Sequence, residues 1–109
     1  MPFSVLMTDD AGQDLYEIYE HIAAHDAPQN AGHVLDQIEK KLLSLSDFPD
    51  RVAHPKELLA LGIREYREIF FKPYRIIYRL IGENVYVMLI CNGRRDMQSL
   101  LQRRLLGGW

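Results

Sequence analysis

Tyr74-Arg75-Ile76-Ile77-Tyr78-Arg79-Leu80-Ile81-Gly82-Glu83-Asn84-Val85-Tyr86-Val87-Met88-Leu89-Ile90 is the stretch that decides the fold. Its first eight residues are rich in β-branched and aromatic side chains, Gly82-Glu83-Asn84 supplies turn chemistry, and Val85 to Ile90 returns with the same β-forming character. This is a β-hairpin. On its N-terminal side, from Ile63, the period is also two: Arg64, Tyr66 and Glu68 alternate with Glu65, Arg67 and Ile69 ahead of Phe70-Phe71, and Lys72-Pro73 turns the chain. Three consecutive strands therefore form a meander. On its C-terminal side Asn92-Gly93 breaks the last strand. Met97, Leu100, Leu101 and Leu105 mark a short closing helix, with Arg103 and Arg104 near its end, where the helix dipole favours cations.

Before the meander the period changes to that of helices. Ala11, Leu15, Ile18 and Ile22 recur at three- and four-residue spacing, which predicts a helix from about Asp10 to about His25, with Asp10 and Asp14 near its positive end. Thr8-Asp9-Asp10 offers N-cap side chains, and Phe3 to Thr8 reads as a short strand before them. Asp26-Ala27-Pro28 interrupts the pattern, and Pro28 suits the first turn of a second helix carrying Ala31, Val34, Leu35, Ile38, Leu42 and Leu45 on one face. Phe48-Pro49-Asp50 ends that helix. The segment to Gly62, with Pro55 and the cluster Leu58, Leu59 and Leu61, reads as a loop with one helical turn. The expected fold is α+β: an N-terminal strand, a helical hairpin packed on a mostly antiparallel sheet, and a short C-terminal helix.

At 109 residues the chain matches one domain, 1–109. No apolar run reaches the roughly 18 residues of a membrane span, and the start lacks an export signal, so a cytoplasmic protein is expected. Cys91, the one cysteine, lies in an apolar run and is expected to be a buried thiol. The net charge of −2 hides an asymmetry. Residues 1–60 hold eleven acids against four bases, a net −7, whereas residues 61–109 hold nine bases against four acids, a net +5. The second half is the expected docking surface for an acidic partner.

Three motifs in this order resemble the ParE/RelE toxin superfamily of type II toxin-antitoxin systems: Asp14-Leu15-Tyr16-Glu17-Ile18-Tyr19-Glu20-His21-Ile22 on helix one, Tyr74-Arg75-Ile76-Ile77-Tyr78 on a central strand, and Gly93-Arg94-Arg95-Asp96 before the closing helix. The resemblance covers nearly the whole chain. It implies a toxin neutralised by a cognate antitoxin, with which it would form a hetero-oligomer. RelE-like members cleave messenger RNA on the ribosome, and the resemblance places Arg75 and Arg95 at two cationic catalytic positions of such a site. The tyrosine expected after the second arginine is replaced by Met97-Gln98-Ser99-Leu100-Leu101, and no histidine follows Gly93. The strand near Tyr66 should carry a base, but this chain offers Arg67 or Glu68. A nuclease inside ribosomal RNA also gains from a large positive excess, which this chain lacks. ParE-like members poison DNA gyrase, a protein target, and need no complete nuclease site. The sequence thus favours a non-enzymatic gyrase inhibitor over a ribonuclease, with a non-toxic adaptor domain as a third reading.

The expected target-binding residues are Arg64, Arg75, Arg94, Arg95, Arg103 and Arg104, placed along one arginine-bearing sheet edge. All but Arg64 have a plainer alternative. Arg75 can pair with Glu68 or Glu83 on the solvent face, Asp96 can neutralise Arg94 and Arg95, and the dipole alone accounts for Arg103 and Arg104. His21 and His25 have a spacing that zinc could use, but no third ligand is evident, so no metal or cofactor is expected; neither is a membrane or sequence-specific nucleic-acid partner.

Overall fold

A computed structural model describes residues 2–49 and 53–107. Trp109 of the tail therefore lies outside the described residues. The elements follow the order β1 (Ser4–Met7), α1 (Asp9–His25), α2 (Pro28–Ser44), α3 (Lys56–Leu59), β2 (Tyr66–Phe71), β3 (Tyr74–Ile81), β4 (Asn84–Asn92) and α4 (Met97–Leu105). Thr8 caps α1 by accepting the Ala11 N–H on its hydroxyl, and Pro28 opens α2. Gly82 takes φ +61° in the two-residue turn between β3 and β4, a conformation that costs other residues more.

The four strands form one sheet in the order β1-β4-β3-β2. The meander is antiparallel, and β1 joins its far side parallel to β4, pairing only Asn84 to Val87. The strand expected from Ile63 begins at Tyr66, because residues 58–63 close a turn of hydrogen bonds around Leu58 and Gly62. On the outer edge of β2, the Glu68 N–H donates to the Ala53 carbonyl at 2.9 Å.

One face of the sheet is covered by the helical hairpin and the other, over part of its length, by α3 and α4. The helical hairpin buries Ala11, Leu15, Ile38, Leu42 and Leu45 against Ile76, Tyr78, Val85, Val87 and Ile90, as the helical periodicity predicts. The opposite face carries a second core, in which Leu58 of α3 and Met97, Leu100 and Leu101 of α4 pack on Tyr66, Ile77, Leu89 and Cys91. A one-residue bulge makes this possible. Ile77 pairs with Leu89 but Tyr78 pairs with Val87, so Met88 is the extra residue and the alternation of β4 inverts across it. Leu89 is fully buried in the second core, and Leu89→Ala is expected to cost about 2–4 kcal/mol of unfolding free energy, measured by urea titration.

Candidate functional site

β4 is longer than the strand beside it. β1 ends where Thr8 donates its N–H and its hydroxyl to the Val87 carbonyl, at 3.1 and 3.2 Å. Beyond that point two helices supply the missing partners. Asp14 of α1 accepts the Ile90 N–H at 3.0 Å on one carboxylate oxygen, and Arg104 of α4 donates to the Met88 carbonyl at 3.1 Å. Arg104 also donates to the other oxygen of Asp14, so a carboxylate and a guanidinium together stand in for a strand. Burial raises the Asp14 pKa even though the Ile90 N–H and Arg104 pull it down. Asp14 was expected to serve the dipole of α1, but it lies beyond the first turn and serves β4 instead.

Arg75 is held by two acids. Its Nη1 and Nη2 donate to the two oxygens of Glu57 at 2.9 Å each, a bidentate pair, while its Nε donates to Glu68 Oε1 at 2.9 Å. Arg75 is 8% and Glu68 5% exposed, so the pairing with Glu68 is made in the interior and not on the solvent face; Glu83 takes no part. The Arg75 pKa is raised, first by Glu57. Its two partners respond differently because of depth. The bidentate pair holds the Glu57 carboxyl below the usual range, whereas burial dominates at Glu68 and raises it. Gly93 permits the packing, since a Cβ there would lie 3.0 Å from Cδ of Arg75.

The remaining candidates are exposed. Arg64, Arg94, Arg95 and Arg103 lie on the surface, without a side-chain ion pair among the described residues. Asp96 does not neutralise Arg94 or Arg95; it caps α4 by accepting the Ser99 N–H and hydroxyl, at 3.3 and 2.8 Å, and those bonds lower its pKa. Arg95 stands at a cleft of about 320 Å³ between α1 and the end of β4, lined also by Asp14, Glu17, His21, Tyr74 and Asn92. A second cleft adjoins it and brings in Arg103 and Arg104.

Arg95, Arg103 and Arg104 are thus gathered at one place, with Arg104 held by Asp14, while Arg75 faces a separate hollow beside Lys56 and Phe70. Arg64 precedes β2 and joins neither cleft. Because β3 is an inner strand, the six arginines do not share a sheet edge. Asp14 and Glu57 were not singled out as anchors from sequence, whereas Glu68 was expected as one possible partner of Arg75. Asp14 had a signal, an acid on the apolar stripe between Ala11, Leu15 and Ile18.

Other chemistry at the site is limited. Cys91 is buried, and desolvation pushes its thiol up to about 11, too high for a ready nucleophile. His21 and His25 stack with ring centroids 4.3 Å apart, and among the described residues no group of three or more His, Cys, Asp or Glu side chains is placed to hold a metal.

The family model described as the ParE toxin of the type II toxin-antitoxin system parDE matches residues 5–97. Toxin ParE3 of Caulobacter vibrioides is 28% identical over 100 residues, spanning 92% of this chain and 96% of that protein. Among solved structures, the chromosomal ParDE system of P. aeruginosa superposes with a TM-score of 0.70 at 20% identity, covering 83% of this chain and 95% of that one. The toxin-antitoxin complex RelBE2 of Mycobacterium tuberculosis gives a TM-score of 0.60 at 20% identity, covering 84% and 92%. These two share the fold.

Two measurements test the anchors. In a double-mutant cycle, Asp14→Asn and Arg104→Gln are expected to couple by about 0.5–3 kcal/mol, since each leaves the other's partner exposed to loss at the same strand edge. Glu57→Gln is expected to destabilise the fold by about 1–3 kcal/mol at neutral pH. A lowered carboxyl stabilises the fold above its unfolded pKa and ceases to do so as pH falls through the folded value. The gap between parent and Glu57→Gln should therefore close below about pH 4, read from urea titrations at each pH.

Proposed function

Because the chain belongs to the ParE toxin family of type II toxin-antitoxin systems, we propose that it is held inactive by a cognate antitoxin and arrests growth by inhibiting DNA gyrase, without cutting RNA. The observation that carries this choice of target is the state of Arg75. A ribonuclease of the RelE kind must present cations to the phosphate whose charge grows as the 2′-hydroxyl attacks. Here Arg75 is engaged by Glu57 and Glu68, so a phosphate approaching it meets two carboxylates.

The surroundings support the same reading. Glu68, opposite Ile77, shares a face with Arg75, whereas Arg67, opposite Tyr78, lies on the other face; the strand position beside Arg75 is therefore acidic. After Arg95, Met97, Leu100 and Leu101 belong to the second core, and Gln98 and Ser99 bring no group suited to protonating a leaving oxygen. The free cations Arg94, Arg95 and Arg103, with Arg64 apart from them, remain for an acidic protein surface. An antitoxin partner is supported by the relatives, which include a ParDE system and a toxin-antitoxin complex.

The test is a gyrase supercoiling assay run beside primer extension on translated messages. The purified chain is expected to inhibit supercoiling or accumulate cleaved DNA, with Arg94→Ala/Arg95→Ala weakening the effect at least tenfold. Codon-linked message cuts that vanish in Arg95→Ala would falsify the gyrase reading in favour of a ribonuclease. Silence in both assays, with harmless expression, would leave the adaptor domain.

A further inference from the structure

Arg95 lines both clefts, and acids stand beside the bases in each. The second cleft, of about 300 Å³, has two walls of opposite sign. α1 supplies Asp10, Asp14 and Glu17, whose spacing puts them on one face of the helix. Arg95 and, from α4, Arg103 and Arg104 supply the other wall. One ion pair closes across the cleft among the described residues, from Arg104 to Asp14. Because it joins α1 to α4, it sets the spacing of the walls before anything binds.

Asp10, Glu17, Arg95 and Arg103 are exposed, and no ion pair holds any of them among the described residues. Glu17 accepts a hydrogen bond from the Gln13 amide of its own helix at 3.3 Å, which leaves its charge uncompensated. Opposite charges that face each other across a cleft without touching stay hydrated, and a partner that displaces the water must satisfy both walls. Carboxylates alone would pair with Arg95 and Arg103 but stand against Asp10 and Glu17. Nucleic acid meets the same obstacle, since its phosphates carry one sign. An acid and a base side by side satisfy both walls, and folded proteins present such pairs on the surfaces of helices.

Resting on the gyrase reading and deepening it, we infer that the cleft between α1 and α4 receives a neighbouring acid and base of the folded target protein, the acid on Arg95 and Arg103 and the base on Asp10 and Glu17. The two acids of α1 thereby determine specificity. The basic half of the chain attracts acidic surfaces in general, and the acid wall admits only one that carries a base next to its acid.

The experiment measures inhibition of gyrase supercoiling by the parent, Asp10→Asn/Glu17→Gln and Glu20→Gln, with binding to a labelled single-stranded oligonucleotide followed by fluorescence anisotropy. Asp10→Asn/Glu17→Gln is expected to inhibit at least tenfold less well, although it makes the chain less acidic. Glu20→Gln removes an acid of α1 that lines neither cleft, and is expected to inhibit like the parent. Circular dichroism checks folding, and Glu17→Gln alone replaces the double variant if the latter unfolds, since Asp10 lies in the first turn of α1. Inhibition by Asp10→Asn/Glu17→Gln equal to or stronger than the parent's overturns the inference while leaving the gyrase reading intact, because the acids then only repel. Tighter oligonucleotide binding with gyrase inhibition kept also overturns it, and assigns the acids to excluding nucleic acid. An equal loss in Glu20→Gln traces the effect to overall charge and does the same. A parent chain that does not inhibit gyrase removes the reading beneath the inference, and the inference with it.

Discussion

β4 runs from Asn84 to Asn92, and β1 pairs with it only as far as Val87. Peptide groups left unpaired at a partly buried edge cost free energy, so something must take the place of the missing strand. Asp14 and Arg104 do so by accepting from Ile90 and donating to Met88. Because one comes from α1 and the other from α4, the same two side chains fasten the hairpin layer and the closing helix to the sheet between them. The bulge at Met88 belongs to this arrangement. It turns Leu89 toward α4 and leaves the Met88 carbonyl where Arg104 reaches it.

That constraint sorts the arginines. A guanidinium engaged by a buried carboxylate is part of the framework, since releasing it would leave the acid uncompensated. Arg75 and Arg104 are of this kind. Arg64, Arg94, Arg95 and Arg103 carry exposed, uncompensated charge, and such charge steers association with an acidic partner. The proposed reading rests physically on this contrast: the exposed arginines carry uncompensated charge, while the innermost arginine is engaged by two carboxylates.

Two surfaces of the chain differ in kind. The arginine-rich clefts lie beside α1, the end of β4 and α4, with acids and bases mixed. The rows through Leu6 and Ile81 lie where the sheet extends past α4 and are partly exposed at Leu6 and Ile81, with Arg79 their one charge and Tyr66 buried.

The sequence alone determined the element order, because period is a local property: Ala11, Leu15 and Ile18 can share a face only on a helix, and the β-branched run from Tyr74 to Ile90 around Gly82 can form only a hairpin. It also showed where cations cluster, and it named Glu68 as one possible partner of Arg75. Tertiary structure decided which cations are free. Glu57 reaches Arg75 from a short helix 18 residues away in sequence, and Asp14 meets Arg104 across 90. Nothing local announces such pairs, except that Asp14 interrupts an apolar stripe. The second core was hidden for the same reason, since the bulge that creates it exists only in the pairing of β3 with β4. Charge is written residue by residue, but whether a charge is available depends on what the fold brings against it.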